Sequence, residues 1–506
     1  MDTLVAAFEL LVRADVVIAL LVGSIGGVII GAIPGVGAAI AIAILLPATF
    51  AMEPLVGLTL LLGVYGSAMF GGAIPAVLIN TPGTAVNALT TYDGYPMTLR
   101  GEAPRALSLA YGASFCGGVF SVVCLIVLAP ILAKVAPLFG SREIFMATLL
   151  GMVLVVVAHQ GQSMAAGALL CFGIFLHTIG LEPVHYTRRF TFDQTWLSAG
   201  VDLIVVVLGL FAISQAFVLL IGRDDTVAPP KIANGLYRGL RELFRFPKVA
   251  LPAASFGTIM GIIPGVGEFT AQFLSYTLAQ KISRTPDRFG KGAPEGVIAS
   301  EAANNAVPAA AMIPLLALGI PGEALTAMML AVFYVHNVIP GPGLFQNKLD
   351  FVLALYLCLL ALNFLALGFV VLATKPLLKV IVIPNRFLGM SILTLSFVGV
   401  YSLRNSATDC MIAAVFGLLG LVLKRLNLPI VPIILGMVLG GIMENKFRTS
   451  LPRISTLPDF INRPISATIF AIIVVVLVVH FWALVRRRWR RDGSRAPEHA
   501  EATWIG

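Results

Sequence analysis

Apolar residues come in long, nearly unbroken runs along this chain: Val16–Ile33, Leu55–Ile79, Ala106–Ala133, Phe145–Val157, Leu203–Leu220, Ala309–Ala331, Phe351–Ala373 and Ile465–Val485. Each approaches or exceeds the roughly 20 residues a helix needs to cross a hydrocarbon core. Shorter or interrupted runs lie between them, at Met164–Leu176, Phe387–Val400, Met411–Leu423 and Ile430–Met443. The pattern predicts an all-α, polytopic helical membrane protein with about a dozen crossings. Gly/Pro interruptions leave open whether some runs are broken helices or re-entrant hairpins. The opening MDTLVAAFELLVRAD carries Asp2 and Glu9 where a cleavable signal peptide would be basic. Leu4, Phe8, Leu11 and Val12 share one helical face, which predicts a short interfacial helix.

Composition agrees with a bilayer protein. Of 506 residues, 58% are hydrophobic and 12% charged, against roughly 25% charged in soluble domains. Mean hydropathy is +0.95. Net charge is +9, and six arginines fall in RRRWRRDGSR, Arg486 to Arg495. A juxtamembrane arginine cluster predicts a cytoplasmic C-terminus rather than nucleic-acid binding, and the basic stretch Arg223–Lys248 predicts a cytoplasmic linker. Cys116, Cys124, Cys171, Cys358 and Cys410 all lie in apolar segments at no metal-site spacing and read as small buried hydrophobes.

Two motifs recur. GAIPGVG (Gly31–Gly37) returns as GIIPGVG (Gly261–Gly267) at an offset of 230, and IPAVLINTPGTA (Ile74–Ala85) returns as IPLLALGIPGEA (Ile313–Ala324) at an offset of 239. Matched pairs in the same order predict an internal duplication, a common plan in membrane carriers. The expected division is a first repeat half over 1–222, a basic linker over 223–248, a second half over 249–375, C-terminal transmembrane helices over 376–485 and a basic tail over 486–506. The number of crossings between the halves, and hence whether they are inverted, does not follow from the runs.

A helix broken by Pro-Gly-x-Gly exposes backbone groups that lipid cannot satisfy, so such a break belongs in protein or beside a water-filled cavity. There the freed N–H groups and the positive end of the second half-helix favour an anion, while unwound carbonyls can hold Na+. The candidate substrate-binding residues are accordingly Pro34, Gly35, Val36 and Gly37 with Asn80, Thr81, Pro82, Gly83 and Thr84 in the first half. In the second half they are Pro264, Gly265, Gly267, Asn304, Asn305, Pro321 and Gly322. Asn80, Thr81, Asn304 and Asn305 offer neutral oxygens to a coupling cation. Asn87, Thr90, Thr91 and Glu301 add polar groups nearby, and neither Pro-Gly segment contains Lys or Arg. The packing alternative is that Gly-x-x-x-Gly only lets helices approach. His159, His177 and Asp409 read as interfacial or helix-terminal, and Glu444 as a partner of Arg448 at i+4 spacing.

The chain resembles the large membrane subunit of tripartite tricarboxylate transporters, the TctA family. The stretches that carry the resemblance are GAIPGVG, INTPGTAVNALTTYDGYPM with RGEAPRAL, FGKGAPEGVIASEAANNA running on to LGIPGEALTA and IPGPGLF, EPVHYTRRFTF, and LPIVPIILGMVLGGIMENKFRTSL. They extend over roughly residues 10 to 460. The resemblance implies a carrier of the bacterial inner membrane, driven by Na+ or H+ with no other cofactor, that imports a di- or tricarboxylate by alternating access. It also implies two partners, a small four-helix membrane subunit (TctB-like) and a periplasmic solute-binding protein (TctC-like). The two Pro-Gly segments, Asn80–Gly83, Asp93-Gly94, Asn304-Asn305 and Pro321-Gly322 would then form one cavity between the halves.

Glu268 and Glu323 directly follow the two second-half Pro-Gly motifs, where small or hydroxylated residues are more usual in the family, and Glu182 stands where Asp is common. Two acids beside an anion site imply a bound cation or a proton, so both join the cation-coupling set; a place at the cavity mouth is the other reading. Rival functions are a stand-alone carboxylate carrier, an anion channel and a membrane-embedded enzyme. No H-E-x-x-H, G-x-S-x-G or Walker A sequence occurs, so the expectation is a carrier that is not an enzyme and draws on ion gradients.

Overall fold

The computed structural model describes residues 2–159, 161–182, 185–222, 236–453 and 457–493. Of the basic linker, 223–235 lies outside the described residues, as does 494–506 of the tail. The described residues are almost wholly helical, with one two-residue antiparallel pair, β1 (Gly180–Leu181) and β2 (Arg188–Arg189). In chain order the helices are α1 (Asp2–Val12), α2 (Ala14–Gly31), α3 (Gly37–Thr49), α4 (Pro54–Ile79), α5 (Thr90–Leu99), α6 (Ala103–Val135), α7 (Ser141–Ala158) and α8 (Ser163–Thr178). Next come α9 (Leu203–Val207) and α10 (Ser214–Ile221), joined by a π-helical stretch at Leu208–Ile213, then α11 (Leu236–Glu242), α12 (Pro247–Ile262), α13 (Gly267–Ile282) and α14 (Pro294–Leu318). The chain continues through α15 (Ala324–Val335), α16 (Pro342–Asn347), α17 (Leu349–Ile381), α18 (Asn385–Arg404), α19 (Ala407–Arg425), α20 (Val431–Ser450) and α21 (Pro464–Gly493). Among the described residues, nine helical segments are long and apolar enough to cross a membrane. The protein is an all-α, multi-pass membrane protein.

Both Pro-Gly breaks turn the chain back on itself. Gly23, Gly27 and Gly31 of α2 lie against Leu60, Val64 and Ala68 of α4 in the same order, so α2 and α4 run parallel and α3 returns between them. In the second set, Gly257 and Gly261 of α12 lie against Ala303 and Val307 of α14, again in parallel, with α13 returning. Pro54 and Pro294 open the two long helices at their first positions, where a missing N–H costs nothing. Both long helices end on a left-handed residue, Asn80 and Gly319.

The two sets share their hydrogen bonds at the sequence offsets. Gly35 N donates to Gly83 O at 3.1 Å, and Gly265 N to Gly322 O at 2.7 Å. Thr81 N donates to Pro75 O at 3.4 Å, and Ile320 N to Pro314 O at 3.3 Å. Gly35 and Gly265 take φ of +77° and +80°, which an L side chain rarely adopts. The Pro-Gly sequence thus makes a helical hairpin whose tip is stitched to the broken end of the next long helix.

The long helices of the two sets run in opposite directions. Asn87 ties Met69 of α4 to Glu301 of α14, whereas Gly94 sits on Val77 and the neighbouring Asp93 on Gly292 and Ala293. Climbing α4 is therefore descending α14. The later helices are exchanged: α20 packs on α7 and α8, while α10 and the π-helical stretch pack on α18 and α19. Outside the bundle, α11 is held to α6 by Arg105, which donates to Glu242 at 2.8 and 2.5 Å. That guanidinium keeps the Glu242 carboxyl below the usual carboxylate range.

Close backbone approach makes one loop intolerant of side chains. A Cβ on Gly83 would fall 2.0 Å from Gly31 O and 2.7 Å from Gly72 Cα. Gly83→Ala is expected to lower stability by about 1–3 kcal/mol, read as a lower unfolding midpoint in detergent. Gly26→Ala, with nothing within 4 Å, should not lower it.

Candidate substrate pathway

The first-half loop is exposed at its tip and satisfied beneath. Gly35 is exposed and lies near Gln215, Pro34 and Gly37 are half-buried, and Val36 is buried. Asn80 and Thr81 are exposed at the end of α4, where Thr81 Oγ1 donates to Ile79 O at 3.3 Å. Pro82 is half-buried; Gly83 and Thr84 are buried, and Thr84 Oγ1 donates to Asn87 Oδ1 at 2.5 Å. Lys424 reaches this region from α19 and donates to Gln215 Oε1 at 2.8 Å. The sequence found no cation inside the motif; tertiary packing places one beside it.

Below that loop two buried carboxylates join the two sets of helices. Glu301 accepts from Asn87 Nδ2 (2.9 Å), Thr90 Oγ1 (2.5 Å) and Ser114 Oγ (2.9 Å). Asp93 accepts from Gly292 N (2.8 Å), Ala293 N (2.7 Å) and Tyr276 Oη (2.8 Å). Each carboxylate is saturated by donors from elements distant in sequence, as a buried charge requires. Asn305 is also committed, donating to Glu301 O at 3.3 Å.

The second-half loop differs. Pro264, Gly265 and Gly267 are half-buried, and Pro321 and Gly322 are buried. Glu268 and Glu323 are 6% and 9% exposed, and Asn304 is fully buried. One carboxylate oxygen each of Glu268 and Glu323, and both amide atoms of Asn304, have no hydrogen-bonding partner among the described residues. The Glu323 backbone N–H is occupied, donating to Thr326 Oγ1 at 3.0 Å. The two acids are thus buried with the loop.

A cavity of about 1100 Å3 opens between α15 and α20; its lining does not include the second Pro-Gly loop, Glu268 or Glu323. One wall is a stripe of α15, Ala327, Leu330, Ala331 and Tyr334, and the facing wall is α20 from Met437 to Thr449. Ala327 is one helical turn from Glu323, and Leu439 and Pro264 both meet α7 at Gly151. At the far end the cavity is rimmed by charge. Arg448 pairs with Glu182 at 2.6 Å and with Glu444 at 2.9 Å, and Arg189 pairs with Glu444 at 2.6 Å. The i+4 pairing of Glu444 and Arg448 read from the sequence is present, and its place at a cavity rim is what the spacing did not convey. His177, which read as interfacial, also lines this cavity.

The two Pro-Gly loops lie at opposite ends of the antiparallel α4 and α14, the first near Gly72 and the second near Ala311. Sequence reasoning passed over Gln272, fully buried with both amide atoms unpartnered among the described residues. Its spacing, four residues after Glu268, was the available signal.

A sequence-family profile described as "Tripartite tricarboxylate transporter TctA family" matches residues 17–435. The chain belongs to the TctA family. It is 32% identical over 474 residues to an uncharacterized 52.8 kDa protein from the TAR-I ttuC' 3' region of Agrobacterium vitis, covering 92% of this chain and 93% of the relative. A second Agrobacterium vitis protein, from the TAR-II ttuC' 3' region, is 32% identical over 239 residues, 46% of this chain and 96% of its own length. No solved structure matches. Membership of the TctA family makes this chain a transporter subunit.

Proposed function

We propose that this chain is the large permease subunit of a binding-protein-dependent secondary transporter that imports a di- or tricarboxylate together with Na+ or H+. The observation that carries the reading is the cavity between α15 and α20, with Arg448 at its rim and, in its wall, Ala327 one helical turn from the buried Glu323. An arriving carboxylate would compete with Glu182 and Glu444 for the rim guanidinium groups of Arg448 and Arg189, while Glu268, Glu323 and Asn304 offer oxygens without a partner among the described residues. Ionised carboxylates there would repel an anionic substrate, and a bound Na+ or proton removes that repulsion. Substrate and cation thereby stabilise each other in one site.

The fold supports alternating access. Recurrence of the loop hydrogen bonds at offsets of 230 and 239, on helices running oppositely, is the geometry of an inverted repeat. We take the halves to meet within 223–248 and the second repeat to continue through α20, because the helices exchanged between sets extend that far. Sidedness follows from charge. The end carrying Arg100, Arg105, Arg241, Lys291 and Lys379 is taken as cytoplasmic. The cavity rim, beside the start of α21 and opposite to its basic end, is then periplasmic, where a solute-binding protein would deliver substrate. A small four-helix subunit is the second partner.

The test is uptake of radiolabelled citrate into proteoliposomes holding this chain and the small subunit, with binding protein and an inward Na+ gradient each added or withheld. Uptake that needs both is expected. Uptake indifferent to the binding protein would identify a stand-alone carrier.

A further inference from the structure

Resting on that reading, we propose that Gln272 and Asn304 form the partition between the two ligands, with their amide nitrogens on the substrate carboxylate and their amide oxygens on the coupling cation. Both side chains are fully buried, and all four of their polar atoms lack a partner among the described residues. A buried polar group left unpaired is costly, so four together point to a ligand that supplies both an acceptor and a cation.

The helix geometry puts these two side chains in one groove. Ala271 of α13 packs with Ala303 and Val307 of α14, and Ser275 Oγ donates to Ala299 O at 2.9 Å. The two helices are therefore antiparallel, with residues 271 and 275 facing 303 and 299. In an antiparallel pair, a step of one residue from each facing position, about 100° of rotation, turns both side chains to the same side of the contact. Gln272 and Asn304 are those residues. Glu268, three positions before Ala271, turns about 60° to the same side.

That side is the one on which the first set of helices lies, because Tyr276, one step after Ser275, donates to Asp93 of α5. A polar helix element across the groove would ordinarily satisfy buried amides, but its polar groups are taken. Asn87 and Thr90 are committed to Glu301, Thr84 to Asn87, and Asp93 to Gly292, Ala293 and Tyr276. Gln272 and Asn304 are left facing a saturated wall, with Glu268 one helical turn away. An amide is the group suited to this place. Its N–H donors favour a carboxylate, its oxygen favours Na+, and it adds no charge to a site that already holds acids.

Gln272→Glu and Asn304→Asp keep the oxygens and remove the donors. The measurement is the thermal unfolding midpoint of the full chain, purified in detergent, titrated with sodium chloride against choline chloride, and with potassium citrate at fixed sodium. For the wild type, sodium is expected to raise the midpoint, and citrate to raise it further only with sodium present. In either variant the sodium response is expected to persist or to reach half-saturation at lower concentration, while the citrate concentration needed rises at least tenfold. Sodium and citrate responses that fall together, or that are both unchanged in both variants, overturn the partition while leaving the transporter reading intact. A wild type that answers to neither salt overturns both. The two variants are independent, so the one that yields folded protein carries the test.

Discussion

Glu301→Ala is expected to lower the stability of this chain by about 3 kcal/mol and to separate its two sets of helices. The carboxylate is fully buried and gathers Asn87 from the turn after α4, Thr90 from the start of α5 and Ser114 from α6. Removing it leaves the Thr90 and Ser114 hydroxyls facing a void and Asn87 with only its 3.2 Å bond to Met69 O. Glu301→Gln keeps one oxygen and should lose about half as much. Equilibrium unfolding of the detergent-solubilised chain, followed by circular dichroism, reads both values. An alanine variant within 0.5 kcal/mol of wild type, about the spread of neutral surface changes, would show that the cluster is not a structural tie.

Replacing both Glu268 and Glu323 by glutamine is expected to remove the cation dependence of transport. Each acid is buried directly after a Pro-Gly motif and has an oxygen without a partner among the described residues. A neutral amide of the same shape still fills the space, but it no longer needs a cation or a proton beside a carboxylate substrate. Citrate uptake by the double variant should therefore change less than twofold between an inward Na+ gradient and none, or between acid and neutral external pH. The wild type should change at least tenfold with one of these, about 1.4 kcal/mol of coupling. A double variant with wild-type coupling would falsify the role of these acids and would shift attention to the amides.

Much of this was legible in the residues. The runs of Leu, Val, Ile and Ala specify membrane helices because lipid admits no unsatisfied backbone. The twice-used Pro-Gly-x-Gly specifies where the helix stops, since proline removes a donor and glycine accepts a positive φ. Matching motifs at two fixed offsets announced matching loops, and Gly35–Gly83 and Gly265–Gly322 are the same bond made twice.

Other features depended on packing between distant segments. Asn80 and Thr81 carry attractive side chains but cap α4 in the open, whereas Thr84, three residues on, is buried against Asn87. Spacing says which residues share a helix face; it does not say which face meets another helix. Gln272 became a candidate only once α13 was laid antiparallel on α14.

The sequence by itself determined the class, the breaks and their repetition, because these follow from local chemistry: apolar length, proline geometry and glycine freedom. Only the tertiary structure decided that the long helices oppose each other, that the two loops lie at opposite ends, and which buried acids are satisfied. Direction and partnership are set by contacts between Asn87 and Glu301, or Asp93 and Ala293, some 200 residues apart, and no local pattern encodes them.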